Sequence, residues 1–520
     1  MLCNGFLLII KRVEQEPLEV DVSHRLKKKV ELLFGTLAEG IEHLRVSEIE
    51  VMMEILQSMQ EAVISVGEFV EHSVTDHDHV IASLTDLAER IYELSLDENY
   101  RKIQKLNEVA KYSESVKQEV YEVLPSAYEI LFVPYKVAMW DALESIYLAA
   151  AGDKDCEIHV MPVPYYHVKE DRTALEMEYE GNLFPEDIPI VDYRKYRIED
   201  MQPDAIFIHN PYDDKNFVTS LPERYFSSEL KKYTDHLVYV PYYVSGYTEK
   251  DFFCLMPGVH NAWRVFVQSE RIREVYIRYH SPEKIVASGL PQIDKVINSE
   301  QKKPEVPDEW KQALSGRKVF LLNTHLDNII NNAEDMVHGM EQLIELFEER
   351  KNAAVIWRPH PLSLETAKAM SPSILKRYNH LVERFKMLDN GVYDETSDPH
   401  LAIALADAYV GDWSSLVVMF GVTGKPIFIR EIVVFGKQER DASQMMLQQR
   451  EKEISEGRRF ETVYYEDSVC LEDYVTMILQ GRDTLMESRK NEFANLVSNT
   501  QGTVGKQIWQ YVKRKISKED

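Results

Sequence analysis

The sequence predicts an α/β protein built from a pair of doubly wound domains and preceded by an all-α helical region. Three observations carry this: where the prolines fall, a change of apolar period near residue 129, and a restart of the new pattern beyond a polar segment. The chain has 520 residues, enough for several domains of roughly 100–200 residues each. Of its 21 prolines only Pro17 precedes Pro125, and a proline-free stretch sustains long helices because each backbone N–H can donate.

In the helical region, residues 1–125, Ile49, Met52, Met53, Leu56, Met59, Val63, Val66 and Val70 recur at steps of three and four. Val80, Leu84, Leu87, Ile91 and Leu94 do the same, then Ile103, Leu106, Val109, Val116 and Val120. Such spacing puts each set on one helix face, so a helical hairpin or small bundle is expected. The region holds 13 Lys and Arg against 24 Asp and Glu. Its outer faces should be solvated, and its apolar stripes make it the candidate surface for a homo-oligomer or a partner.

From residue 129, β-rich runs at 130–133, 158–163, 205–208, 237–240, 265–267 and 285–287 alternate with helical stretches. That alternation specifies a parallel sheet covered by helices, here a first domain over 126–298. A polar stretch holding Pro304 and Pro307 begins a linker over 299–317. The pattern restarts with strands at 319–322, 354–357, 408–410 and 427–429 and a helix at 334–350, a second domain over 318–485. Residues 486–520 read as a C-terminal helix. Its basic end, Lys506 to Lys518 with Trp509 and Tyr511, suits either a helix docked on the fold or contact with a membrane surface.

Sixty Lys and Arg against 87 Asp and Glu leave a formal charge of -27, which repels polyanions and argues against nucleic-acid binding. Cys3, Cys156, Cys254 and Cys470 form no CxxC or metal-ligand spacing, so neither a disulfide framework nor a zinc module is expected. The apolar run 6–10 is too short to span a bilayer or serve as a secretion signal. A cytoplasmic protein is expected, free or peripheral on the cytosolic face of a membrane.

Phosphate-loop, HExxH and GxSxG signatures are missing. Asp76-His77-Asp78 and Asp153-Lys154-Asp155 read as solvated turns, and His72, His77 and His79 as an exposed acidic loop. More informative is Trp357-Arg358-Pro359-His360-Pro361, directly after a strand. There an Arg fork and an imidazole can grip one phosphate, although a proline turn with a structural His accounts for it equally. In Gly411-Asp412-Trp413-Ser414-Ser415 the serines open a helix, where hydroxyls and free N–H groups accept anions; plain N-capping by Asp412 or Ser414 is the alternative. His209 and His325 stand at other strand ends, as structural histidines or as bases. Tyr135 and Lys136 occupy the turn after the first strand of the first domain, where they could touch an acceptor phosphate.

Taken in this order, Arg358-x-His360-Pro361, then Asp412-Trp413-Ser414-Ser415, then Lys425-Pro426 resemble the CDP-glycerol glycerophosphotransferase family, the teichoic-acid primases and polymerases. That family has the GT-B fold, a pair of Rossmann-like domains. Its basic-x-His-Pro motif precedes Asp-Tyr-Ser-Ser and a Lys- or Arg-Pro, so Trp413 replaces the usual Tyr. Gly289-Leu290-Pro291-Gln292-Ile293-Asp294 is similar to the family's Gly-x-Pro-Arg-Asn-Asp, without its Arg and Asn. The family's Trp-His-Gly-Thr-Pro segment, whose His has a catalytic role, is missing. Where it belongs, this chain reads Pro241-Tyr242-Tyr243-Val244. The resemblance covers roughly residues 126–485 and leaves out the helical region.

The resemblance implies transfer of glycerol phosphate, or a related polyol phosphate, from a CDP-activated donor to a hydroxyl acceptor, lipid-linked acceptors included, in teichoic-acid or cell-surface polymer biosynthesis. Arg358, His360, Asp412, Ser414 and Ser415 would bind the donor, with His360 also catalytic. His209 and His325 are candidate bases, and Tyr135 and Lys136 face the acceptor. No metal or cofactor is expected. Two other readings stand beside it: a GT-B glycosyltransferase using a nucleotide sugar, and a noncatalytic nucleotide- or polymer-binding scaffold, which the missing segment favours.

Overall fold

The computed structural model describes residues 23–45, 49–73, 77–96, 103–124, 128–169, 173–246, 249–396, 398–429 and 471–517. Cys3, Cys470, the apolar run 6–10, Asp76 and residues 430–470 of the second domain lie outside the described residues. The chain divides into two compact units: Met1–Ile130 with Asp153–His159 and Arg197–Asp204, and Leu131–Gly152, Val160–Tyr196 and Ala205–Asp520.

The first unit is dominated by helices α1 Ser23–Leu44, α2 Ile49–Ser73, α3 Asp78–Leu96 and α4 Ile103–Val123. Each packs on its sequence neighbour, and α4 returns to α1, closing a four-helix bundle as short connections dictate. The periodic residues meet inside: Met59, Val63, Val66, Leu87, Ile91, Val116 and Val120 are all buried. Each such side chain contributes about 1.5–3 kcal/mol. Met53 departs from the predicted stripe and is 52% exposed, because three-and-four spacing defines a stripe wider than the core of one bundle.

The first sheet has strands β1 Tyr128–Val133, β2 Cys156–Val160, β5 Ala205–Ile208, β7 Leu237–Tyr239, β8 Arg264–Val267 and β9 Ile285–Ala287, in the order β2-β1-β5-β7-β8-β9. A smaller antiparallel sheet, order β4-β3-β6, joins β3 Tyr165–Val168, β4 Ala174–Glu178 and β6 Thr219–Ser220. Apolar content does not reveal it, since every residue of β4 is exposed.

The second sheet is parallel throughout: β10 Lys318–Thr324, β11 Ala353–Pro359, β12 Gly391–Tyr393, β13 Ala408–Gly411 and β14 Ile427–Ile429, in the order β12-β11-β10-β13-β14. Alternate side chains leave opposite faces of a strand. Val319 and Leu321 accordingly join a core with Ile356, Tyr409 and Ile427, while Phe320 and Leu322 join another with Val355, Trp357, Val410 and Phe428. Both faces are covered, as a doubly wound parallel sheet requires.

Helices Pro291–Lys302 and Asp308–Leu314 connect the two sheets, and residues 486–516 form helices Met486–Leu496 and Val504–Ile516. The last packs on helix Asp141–Ala151, with Val504, Ile508, Trp509 and Val512 buried. Its apolar face is therefore spent on the fold. Asp294 caps it, its carboxylate accepting the N–H groups of Val504 (2.9 Å) and Gly505 (2.8 Å), so this acid of the 289–294 motif anchors the chain's final helix. Among the described residues no helix is long and apolar enough to cross a membrane.

Candidate functional site

The carboxyl ends of β10, β11 and β13 lie side by side, with Asn323 in register with both Arg358 and Gly411. Asn323 is the hub. Its Nδ2 donates to the Arg358 carbonyl (3.1 Å), and its Oδ1 accepts the hydroxyls of Ser414 (3.0 Å) and Tyr409 (3.2 Å). The Asp412 N–H donates to the Asn323 carbonyl at 3.0 Å. Gly411 permits this approach, since a Cβ there would sit 2.2 Å from the Asn323 carbonyl oxygen. Neither motif nor apolar period marks Asn323, although it stands two residues before His325 at the end of a strand.

Asp412 and Ser414 order this edge. The Asp412 carboxylate accepts the His325 backbone N–H at 2.8 Å. Ser414 caps helix Ser415–Gly421, its hydroxyl accepting the Leu416 N–H at 3.2 Å. Ser415 is exposed at the first turn of that helix.

Arg358 is buried and its fork is engaged within the protein. One amino group donates to Asp394 (2.6 Å) and to the Thr396 hydroxyl (3.2 Å), the other to the Thr396 carbonyl (2.6 Å). Its charge therefore neutralises Asp394, a partner 36 residues further on behind a three-residue strand that the sequence pattern does not reveal.

His325 and His360 meet edge to face, ring centroids 5.7 Å apart. His360 Nδ1 accepts the Leu362 N–H at 3.1 Å, which leaves Nε2 to carry the proton and donate. Burial, and secondarily the His325 imidazole, lower the His360 pKa, favouring a neutral hydrogen-bond donor over an imidazolium. His325 caps helix Leu326–Asn331.

The other candidates gather at the first sheet. His209 is fully buried at the end of β5, and its Nε2 accepts the Tyr135 N–H at 3.3 Å. Burial pushes its pKa down to about 3, so the ring is neutral with one nitrogen already engaged. The buried Tyr135 ring lies 5.5 Å from it, and burial raises the Tyr135 phenol pKa. Lys136 Nζ lies 4.5 Å above the Tyr165 ring, whose hydroxyl donates to Glu178 (2.6 Å) and Glu180 (2.7 Å). Lys136 thus sits in an acidic, aromatic setting.

Lys425 is held by Glu300 of helix Pro291–Lys302 and by the carbonyls of Ile403 (3.1 Å) and Ala404 (3.3 Å), a structural clamp. Trp413 lies against the loop that follows Pro241-Tyr242-Tyr243-Val244: a Cβ on Gly246 would be 3.9 Å from its ring. The residue standing in for Tyr therefore lies beside the loop just after the segment standing in for Trp-His-Gly-Thr-Pro.

Residues 259–432 match the family described as CDP-Glycerol:Poly(glycerophosphate) glycerophosphotransferase. That span contains the 289–294 segment, Arg358, His360, Asp412, Ser414 and Lys425, the residues that carry the resemblance. No curated protein matches the chain. Among solved structures, the wall teichoic acid polymerase TagF is 12% identical, with 84% of this chain and 98% of that one covered, at a TM-score of 0.46. A UDP-N-acetylglucosamine 2-epimerase is 10% identical over 76% and 97%, at 0.47. The UDP-GlcNAc 2-epimerase from Neisseria meningitidis is 11% identical over 74% and 100%, at 0.42. Likenesses this weak carry no functional argument.

Proposed function

We propose that this chain, whose residues 259–432 carry the CDP-glycerol glycerophosphotransferase family's sequence, transfers glycerol phosphate from CDP-glycerol to a hydroxyl acceptor in teichoic-acid synthesis. The observation that carries this reading is the Asn323 hub, which ties the Arg358-x-His360 turn to the Asp412-x-Ser414 turn at one sheet edge. In this reading the domain over 318–485 binds the donor and the domain over 126–298 faces the acceptor.

Attack of the acceptor oxygen on the donor's β-phosphorus breaks the bond to the CMP oxygen. Charge grows on the bridging and terminal oxygens as CMP leaves, and preformed donors stabilise it without reorganising. His360 Nε2–H and the exposed Ser415 hydroxyl supply such donors. Arg358, neutralised by Asp394, stiffens the turn that carries His360, and Asp412 holds the His325 backbone. The acceptor's proton needs a base near neutral pH. Burial has removed the basicity of His209; His325, about a third exposed beside His360, is the accessible candidate and would take that proton on Nδ1 by releasing its long 3.4 Å bond from the Asp327 N–H.

The test is to incubate the purified full chain with CDP-glycerol and a glycerol phosphate-primed acceptor, following CMP release and acceptor extension. CMP release coupled to extension is expected. Donor binding without turnover, in every acceptor tried, would favour the noncatalytic scaffold. Turnover only with nucleotide sugars would favour the glycosyltransferase.

A further inference from the structure

A second cluster lies in the first unit, at the start of β1 and on β2. Glu129 is the second residue of β1 and fully buried. Glu157 and His159 are two apart on β2, so their side chains leave the same face of the strand. His159 Nε2 stands 2.9 Å from Glu129 Oε1 and 3.6 Å from Glu157 Oε1. The three ligand atoms all lie within 4.8 Å of one another.

We propose that Glu129, Glu157 and His159 form a binding site for one divalent transition-metal ion of the zinc class. Two ligand atoms, each about 2.0 Å from a tetrahedral ion, are roughly 3.3 Å apart. The two distances from His159 Nε2 bracket that separation. With a neutral imidazole the cluster carries two negative charges, which a dication cancels. Imidazole with carboxylates selects zinc-like ions over magnesium or calcium, which prefer oxygen alone.

The surroundings fit. The Glu129 backbone is fixed by Asp204, whose carboxylate accepts its N–H (3.0 Å) and whose own N–H donates to its carbonyl (2.8 Å). β2 is the edge strand of its sheet and the Glu157 side chain is 42% exposed, giving an ion a path from solvent. Without metal, His159 Nε2 pairs with Glu129 Oε1 at 2.9 Å as an ion pair; to bind, Nε2 gives its proton to water while Nδ1–H is retained, so the ring is neutral and the Nε2 lone pair takes the metal. The role is structural: the ion would pin β2 to β1 at the amino end of β1, opposite the edge where parallel sheets bind substrates. Ligand-spacing rules miss the site because its ligands come from two strands.

The test uses the full chain, stripped with chelator and desalted, titrated calorimetrically with zinc chloride alone, with metal content and melting temperature measured in parallel. One zinc per chain and a raised melting temperature are expected. His159→Gln and Glu157→Gln, each confirmed folded by circular dichroism, should weaken binding by more than the roughly 10–100-fold that losing a mere outer partner costs. Magnesium chloride should bind at least about tenfold more weakly than zinc. The proposal is overturned if the parent chain takes up no zinc, leaving a Glu129–His159 ion pair only. It also falls if both variants bind zinc as the parent does, or if magnesium binds equally well.

Discussion

The Ser414 hydroxyl donates to Asn323 Oδ1 at 3.0 Å across 91 residues of sequence. Through it the helix that begins at Ser415 is tied to β10, and through Asn323 Nδ2 to the turn that carries His360. Replacing Asn323 by Ala strands the Arg358 carbonyl and removes the acceptor of the Ser414 hydroxyl, while the Tyr409 hydroxyl keeps the Asp412 carbonyl at 2.7 Å. The expected cost is about 1–3 kcal/mol of stability, read as a lower urea midpoint with unchanged slope. Donor affinity should fall as well, whereas Ser415→Ala should leave the midpoint where it is.

Arg358 and Asp394 are a buried pair, 10% and 1% exposed at their side chains. Removing either partner alone leaves an uncompensated charge, at a cost of about 3–5 kcal/mol. Arg358→Met should therefore destabilise strongly, and Arg358→Met with Asp394→Asn should recover much of the loss. A double-mutant cycle by chemical denaturation checks this. Additive losses would show that Arg358 is free to serve a ligand instead.

His209 makes folding pH-dependent. Its pKa is about 3 in the folded chain against an ordinary 6.5, so below pH 6.5 the unfolded chain takes up a proton that the folded chain refuses. Its contribution is complete above pH 6.5 and drains away as pH falls toward 3. Between pH 7 and pH 5 the loss is about 2 kcal/mol. Urea titrations at the two pH values should show the parent losing that much more than His209→Gln.

His360 should act as a neutral donor. Its lowered pKa keeps the ring uncharged at and above neutrality, so donor affinity should stay flat from pH 7 to pH 8 and strengthen as pH falls through the imidazole's titration, where a proton on Nδ1 adds positive charge beside the diphosphate while Nε2–H still donates. His360→Ala should lower kcat/KM by about ten- to a hundredfold, the worth of one hydrogen bond to a charged group. Phosphate-transfer assays with the folded variant check it. Unchanged turnover would place the donor elsewhere.

Local pattern alone determined much of this protein. Proline depletion and three-and-four spacing specify the bundle α1–α4, because a helix face repeats within one turn. Short apolar runs mark β5, β9 and β14 at their observed bounds; β5 and β14 are buried on both faces, and such a strand needs nothing but apolar residues. The placement of Arg358, His360, Asp412 and Ser414 at the carboxyl ends of strands was legible since each follows such a run. Tertiary structure decided what those residues touch. Asp394 claims the Arg358 fork, Asn323 joins two turns, burial removes the basicity of His209, and Glu129 meets His159 across strands. Each pairing spans 30 to 91 residues and depends on strand order and register, which side-chain period cannot encode. Burial likewise is a property of the assembled layers, so the charge state of an imidazole can be known only once they close.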